Sequence, residues 1–255
     1  ISLEMAENLR ELGMEVTMVQ RPKQLMNPFD PEMASFIHAK MRKKGVRLLL
    51  GHTVEGFEEA PGGVRVLLKG AEPLEAELVV LAIGVTPDTQ LAKEAGLELG
   101  VKGSIAVNDR METSVPDIYA VGDAVQVQHF VTGEHTLISL AGPANKQGRI
   151  AADNICGGNS RYQGSQGSSV VKVFDMTAAA TGGIECDKVY LSPASHAGYY
   201  PGGRLLNMKV LFEKNTYRLL GAQIVGSEGV DKRIDVLATA IRAGLTALDL
   251  KDLDL

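Results

Sequence analysis

The chain has 255 residues, of which 45% are hydrophobic and 22% are charged, with a net charge of -5. This length can bury the core of one large domain or of two ordinary ones. The acidic balance gives no basis for nucleic-acid binding or for a basic membrane face, and no apolar run approaches the roughly 20 residues of a membrane-spanning helix. Cys156 and Cys186 lie far apart, without metal-ligand or CxxC spacing. We therefore expect a cytoplasmic protein without a metal site.

The first segment has the alternation of helices and strands that is typical of an α/β domain. Apolar residues at helical spacing over 1–13 predict a helix that ends at Gly13, and residues 15–19 predict a strand. Asp30-Pro31 predicts the start of a second helix, with an N-cap carboxylate and a proline at the first helical position. A helix and a strand at the very beginning are the second half of a βαβ unit. We therefore expect the sequence to be a fragment of a longer protein.

The next segment continues this rhythm as far as Gly96. Gly45 ends the second helix and residues 46–50 predict a strand, after which the Gly62-Gly63 turn predicts a small antiparallel insertion. Residues 78–83 form an unbroken apolar run, which is typical of a parallel strand covered on both faces. Asp88 or Thr89 then predicts the N-cap of a short helix.

The segment Thr113–Asp123 is the most informative in the chain. It predicts a turn over 114–117 and a short buried strand over 118–121, which ends at Gly122-Asp123. Glycine lets the backbone approach a ligand closely, and the aspartate presents two acceptor oxygens at the carboxyl edge of a sheet, where α/β proteins bind their ligands. Such an acceptor suits a sugar hydroxyl of a nucleotide. Glycine followed by aspartate after a strand is also a common plain turn.

Residues 140–155 predict a helix that begins near Pro143 with small residues at its amino end. The free N–H groups and the positive end of a helix form a favourable site for negative charge. As a bare pattern, this is also an ordinary helix start. Lys146, Gln147 and Arg149 could be ligands or part of a solvated face.

The composition changes from about residue 165. A linker rich in glycine and serine over 157–167 is followed by four predicted strands and an amphipathic helix. The strands are predicted over 170–174, 188–191, 208–212 and 219–225, and the helix over 229–243. These elements predict an antiparallel sheet in an α+β domain.

In this order, the motifs resemble those of the FAD-dependent pyridine nucleotide-disulfide oxidoreductases over nearly the whole chain. Residues 113–123 match the family's second flavin motif, residues 140–155 match the helix beneath the isoalloxazine ring, and residues 82–87 match the strand that leaves the NAD-binding domain. The fold class implied is α/β, with Rossmann-like NAD(P)- and FAD-binding segments followed by an α+β dimerisation domain. The implied boundaries are 1–88 for an NAD(P)-binding domain that lacks its first strand and glycine-rich turn, 89–164 for the closing segment of the FAD-binding domain, and 165–255 for a truncated dimerisation domain.

The resemblance also implies site residues. It assigns FAD contacts to Gly122, Asp123, Leu140, Ala141, Gly142 and Ala144, and NAD(P)H contacts to Glu4, Gln20, Arg21 and Gly84. At Gln20 the family usually has an acid that binds the ribose 2′-hydroxyl. An amide does not repel a 2′-phosphate, and Arg21 and Lys23 could pair with one, so NADH and NADPH both remain open. Arg21 and Lys23 could equally be solvated loop charges.

Segments 195–202 and 229–244 resemble the branch with coenzyme A disulfide reductases, NADH oxidases and persulfide reductases. The implied function is hydride transfer from NAD(P)H through FAD to a disulfide or persulfide, such as one of coenzyme A, in a homodimer. NADH oxidase or NADH peroxidase is the alternative enzyme. A non-catalytic dimerising fragment without bound flavin is the alternative of another class. His196, Tyr199 and Tyr200 could line a substrate channel or pack at a subunit interface.

The chain also departs from the family's pattern. It has no room for the helix that the family carries between Gly183 and Asp187, and it ends before the family's C-terminal tail. Neither Cys156 nor Cys186 matches the surroundings of the nucleophilic cysteine, which is expected in the region before residue 1. The fragment itself is therefore expected to be inactive.

Overall fold

The structure is a computed structural model that describes residues 1–184 and 186–253. Its helices are α1 (Ser2–Glu11), α2 (Pro31–Lys43), α3 (Gln90–Glu94), α4 (Ala141–Ile155) and α5 (Val230–Ala243). Its strands are β1 (Thr17–Gln20), β2 (Arg47–Leu50), β3 (Val54–Ala60), β4 (Gly63–Leu68), β5 (Leu74–Ala76), β6 (Val127–Gln128), β7 (His135–Thr136), β8 (Ser169–Val173), β9 (Met176–Gly182), β10 (Asp187–Leu191), β11 (Asn207–Phe212) and β12 (Leu219–Gly226). Short 3-10 turns lie at Val101–Gly103 and Asp249–Asp252. No helix within the described ranges is long and apolar enough to cross a bilayer.

The amino-terminal part is an α/β unit. Strands β1 and β2 pair in parallel, with Gln20 opposite Leu50, and α2 connects them. The predicted start of α2 is confirmed, because Asp30 is its N-cap residue and Pro31 its first residue. The Asp30 side chain does not cap the helix, however. Its carboxylate binds side chains of the carboxyl-terminal domain instead.

The predicted antiparallel insertion is confirmed as a three-stranded sheet in the order β3-β4-β5. The first residue of β4 must be glycine because β5 lies close to it: a Cβ on Gly63 would lie 2.3 Å from the carbonyl oxygen of Ala76. Thr89 is the N-cap residue of α3. The remaining predicted element of the α/β unit is the apolar run over 78–83, which follows β5.

The prediction of a buried parallel strand over 78–83 is wrong. These residues have no regular secondary structure, and Leu81 and Ile83 are exposed by 64% and 90%. A parallel strand requires a neighbouring strand for its hydrogen bonds, and no strand among residues 1–184 and 186–253 pairs with this segment.

The strand predicted over 118–121 is also wrong in its extent and burial. It forms a single antiparallel bridge, between Tyr119 and Glu112, and Val121 is 41% exposed. The turn before it is confirmed, since Ile118 N–H donates to the Val115 carbonyl oxygen. The segment is thus one arm of a short irregular hairpin.

The carboxyl-terminal part is a five-stranded antiparallel sheet in the order β10-β11-β12-β9-β8, with α5 on one face. The four predicted strands and the amphipathic helix are confirmed. Strand β9 was not predicted, because its sequence MTAAATG is rich in alanine, which is depleted in strands. The alternation of side chains places Ala178 and Ala180 towards α2, and Ala179 towards α5. Small side chains on both faces let both helices approach closely.

One hydrophobic core joins the two parts of the molecule. Residues of α1 and α2, including Met33, Ile37 and Met41, share a cluster with Val173 of β8 and Val225 of β12. All five side chains are at most 1% exposed. The amino-terminal α/β unit and the five-stranded sheet are therefore packed as one body.

Candidate functional site

The turn at Gly122-Asp123 follows the hairpin arm that carries Tyr119 and leaves open space beside its backbone. Gly122 has φ of +90°, a conformation that favours glycine, and no atom lies within 4 Å of the position of a Cβ there. Asp123 is exposed, and among the described residues no side chain forms an ion pair or hydrogen bond with its carboxylate. The carboxylate is thus available to accept hydrogen bonds from a ligand hydroxyl.

The amino end of α4 is open in the same way. Leu140 is the N-cap residue in an extended conformation and provides no side-chain cap. Ala141 and Gly142 are exposed, and nothing lies within 4 Å of the Cβ position at Gly142. The first N–H groups of a helix have no partner within the helix, and the adjacent positive end favours an electron-rich group. Ala144, whose N–H donates to the Leu140 carbonyl oxygen, continues the helix behind this end.

Gln147 connects these two features. Its side chain is only 1% exposed, and its Oε1 accepts a hydrogen bond of 2.7 Å from the N–H of Gly122. Burial raises the pKa of the neighbouring Tyr162, and side-chain hydrogen bonds with Gln147 and Ser165 oppose that rise. The turn that carries Asp123 is therefore tied directly to the first turns of α4.

Sequence reasoning left Gln147 undecided between a ligand and a solvated residue. The spacing of the buried residues of α4 could have resolved this. Gln147, Ile150, Ala151 and Asn154 recur at i, i+3, i+4 and i+7 and form its buried face. A polar residue on that stripe needs a buried hydrogen-bond partner, but the sequence does not reveal that the partner is Gly122.

The residues predicted to contact a nicotinamide nucleotide lie in three segments of the chain: the end of β1 with the turn after it, the first turn of α1, and the irregular segment after β5. Gln20 is the last residue of β1, and its carbonyl oxygen accepts hydrogen bonds from Gly51 and His52. Arg21 and Lys23 follow in an exposed turn, and among the described residues neither forms an ion pair. Their charges therefore face solvent at the carboxyl edge of the parallel strands.

Glu4 and Gly84 belong to the other two segments. Glu4 is exposed in the first turn of α1 and pairs with the amino group of Ile1 at 2.8 Å. Gly84 lies in the exposed irregular segment after β5, with φ of +94° and open space around its Cβ position. Their roles at the nicotinamide stay predictions.

A charged cluster lies where α2 meets the five-stranded sheet. Lys209 of β11 is 3% exposed, and its Nζ contacts the carboxylates of Asp30 and Glu32, with 2.5 Å to Glu32 Oε1. Tyr190 donates to the same Glu32 oxygen at 2.6 Å, and Gln223 Nε2 donates to Asp30 at 3.1 Å. The hydrogen bonds from Lys209 and Tyr190 lower the pKa of Glu32 to about 2. Burial alone would lower the pKa of Lys209, but the two carboxylates outweigh it and raise that pKa.

The described residues hold no group of three or more His, Cys, Asp or Glu side chains arranged for a metal ion. Cys156 is exposed just after α4. Burial raises the pKa of the Cys186 thiol, which disfavours the nucleophilic thiolate there.

The parallel strand pair of the α/β unit, joined to an antiparallel α+β domain, gives the fold class but not the family. Comparison with known families identifies it. The family model for pyridine nucleotide-disulphide oxidoreductases matches residues 1–148, and the model for the dimerisation domain of these enzymes matches residues 174–253. The chain belongs to the pyridine nucleotide-disulphide oxidoreductase family.

Three similar proteins illustrate the range of the family. An NAD(P)H coenzyme A polysulfide/persulfide reductase of Pyrococcus horikoshii is 35% identical over 98% of the chain and 58% of the relative. An NADH oxidase of Methanocaldococcus jannaschii is 34% identical over 100% of the chain and 58% of the relative. The crystal structure of reduced Bacillus anthracis CoADR-RHD superposes with a TM-score of 0.95 at 48% identity, over 99% of the chain and 47% of that protein. The chain thus spans between 47% and 58% of the length of these relatives.

Proposed function

We propose that the full-length protein containing this chain is a FAD-dependent oxidoreductase that passes hydride from NAD(P)H to a disulfide or persulfide of coenzyme A. The observation that carries the proposal is the pairing of an open acceptor, Asp123, with an uncapped helix end, through Gln147. These groups fit a flavin nucleotide, because the Asp123 carboxylate accepts hydrogen bonds from sugar hydroxyls and the amino end of α4 favours negative charge.

The residues of this chain would have separate tasks. Gly122 and Asp123 would hold the ribityl chain, and the end of α4 at Leu140, Ala141, Gly142 and Ala144 would face the electron-rich edge of the ring. Bound FAD would supply the two-electron carrier between nicotinamide and acceptor. Glu4, Gln20, Arg21 and Gly84 would bind and orient the nicotinamide nucleotide, and the nucleophilic cysteine would come from outside residues 1–255.

The choice of acceptor is supported by relatives whose names include coenzyme A persulfide reductase. The second candidate, an NADH oxidase, is supported by a relative of nearly the same identity. Full-length protein assayed with NADH and NADPH against coenzyme A disulfide, a coenzyme A persulfide and oxygen separates the two. The proposal requires faster turnover with a sulfur acceptor than with oxygen, and the reverse order would favour the oxidase.

We further propose that the protein is a homodimer, since residues 174–253 match the dimerisation domain of the family. Residues 1–255 alone are not expected to retain flavin or to turn over NAD(P)H. Asp123 and the end of α4 address only the ribityl and ring portions of FAD, so its remaining contacts must come from elsewhere.

The preference for NADPH or NADH is expected to depend on Gln20. In the full-length enzyme, Gln20→Asp should raise the KM for NADPH at least about tenfold and leave the KM for NADH within about threefold, because a carboxylate repels a 2′-phosphate and accepts from a 2′-hydroxyl. Steady-state kinetics with both nucleotides measure this. Gln90→Asp, on the exposed helix α3, is the control and should change neither value. Equal changes in both KM values for Gln20→Asp would show that Gln20 does not face the 2′ position.

A further inference from the structure

The side chain of Gln147 is buried but hydrogen-bonds to a backbone group at the edge of the proposed flavin site. It is 1% exposed, lies in the second turn of α4, and accepts from Gly122 N–H at 2.7 Å. Gly122 directly precedes the exposed Asp123. The hydrogen bond therefore joins the element that carries the carboxylate to the element that carries the helix end.

Backbone hydrogen bonds hold the residues on both sides of the turn, from Ala120 N–H to Met111 and from Ile105 N–H to Ala124, but Gly122 itself has few other restraints. Gly122 has no side chain and has open space around it, and within the turn the hydrogen bond from Val125 N–H to the Gly122 carbonyl oxygen is long, at 3.4 Å. A glycine with φ of +90° has more accessible conformations than any other residue, so an external hydrogen bond is needed to select one of them. Gln147 provides that hydrogen bond from a rigid helix.

We propose that Gln147 is a positioning residue that fixes the direction of the Asp123 carboxylate relative to the amino end of α4. The inference rests on the proposed flavin site. Gln147 touches neither ligand hydroxyl nor ring; it acts through Gly122 on Asp123. Without it, Asp123 and α4 would each keep their chemistry, but they would no longer be held in the relative orientation that one flavin requires.

A double-mutant cycle in the full-length protein tests this inference. Apoprotein is titrated with FAD, and the dissociation constant is measured by quenching of flavin fluorescence for wild type, Gln147→Leu, Asp123→Ala and the double variant. Leucine keeps the bulk of the side chain but accepts no hydrogen bond. Gln147→Leu is expected to weaken FAD binding about tenfold or more in the wild-type background. In the Asp123→Ala background it should weaken binding by less than about threefold, because residues that act through one another are not additive.

A matched control removes a comparable side-chain amide elsewhere. Gln166 donates to Thr181 and to the Ala238 carbonyl oxygen in the sheet domain. Gln166→Leu should lower the melting temperature at least as much as Gln147→Leu does, but change FAD affinity less than about twofold.

The outcomes separate the inference from the function on which it rests. Equal losses for Gln147→Leu in both backgrounds, no loss in either, or an equal loss for Gln166→Leu would overturn the positioning role. Wild-type apoprotein that does not bind FAD would overturn the proposed flavin function itself.

Discussion

Replacement of Lys209 by alanine is expected to lower the free energy of unfolding by about 3 kcal/mol, because a buried cation is removed from between two carboxylates. Lys209 is 3% exposed, whereas the side chains of Asp30 and Glu32 are each 42% exposed. Water can therefore solvate the two carboxylates in part, which places the effect at the lower end of the range for broken buried pairs. Equilibrium denaturation in urea at neutral pH measures the loss.

Two further variants separate the charge of Lys209 from its packing. Lys209→Met keeps most of the buried aliphatic stem, so it should be less destabilising than alanine. Lys188→Ala, on the exposed edge strand β10, should change the stability by less than about 0.5 kcal/mol. A loss of that small size for Lys209→Ala would show that the cluster does not hold α2 to the sheet.

The same cluster predicts a pH dependence of stability. The pKa of Glu32 falls from 4.5 to about 2 in the folded state. A depressed pKa contributes stability that is fully present above the unfolded value and is lost as the pH falls through the folded value. The wild-type protein should thus lose stability between about pH 4.5 and 2, and the slope should be smaller in Lys209→Ala. Identical slopes in the two proteins would contradict the ion-pair assignment.

Ile37→Ala is expected to destabilise the protein by about 4 kcal/mol, because it leaves a cavity in the core that joins α2 to the sheet. Ile37 is fully buried and shares its cluster with Val173 and Val225 of the sheet domain. The neighbouring backbone belongs to a helix and to paired strands, so it cannot collapse freely into the space. Ile155→Ala, at a position that is 64% exposed, is the control and should cost less than about 0.5 kcal/mol.

This shared core also predicts how unfolding proceeds. Because α2 packs on both β2 and the five-stranded sheet, both parts should lose structure in one transition in wild type and in Ile37→Ala. Circular dichroism and a fluorescent label on the sheet domain should give coincident curves. Separate transitions, with only the first shifted by Ile37→Ala, would show that the two parts are independent.

Local sequence patterns predicted many of the helices and strands. Capping and breaking residues, such as Asp30-Pro31 and Gly45, located α2, and the segments predicted as strands over 208–212 and 219–225 located β11 and β12. Strand β9 could not be predicted, because its alanines are needed for the close packing of α2 and α5 on its two faces. Local sequence does not show that packing. The run over 78–83 was misassigned because its hydrophobicity indicates burial, whereas a strand also requires a neighbour.

In the candidate site, too, some features could be predicted from the sequence and others could not. The turn over 114–117 and the helix near Pro143 could be predicted from residue types and order, whereas the flavin roles of Gly122 and Asp123 stay predictions. The hydrogen bond from Gly122 to Gln147 could not be predicted, because it depends on how the turn packs against α4. The pairing of Lys209 with Asp30 joins residues 179 positions apart, and a lysine within a strand does not indicate its partner.

The central claim is that Asp123 and the amino end of α4 form part of a flavin site. The most direct measurement is the FAD content of purified full-length protein, from its visible absorption spectrum and from the flavin released on denaturation. Wild type and the control Asp109→Ala, which removes only an exposed ion pair with Arg161, should contain close to one FAD per chain. Asp123→Ala should lose most of it. Wild-type protein without flavin, or Asp123→Ala with undiminished FAD content and affinity, would contradict the account.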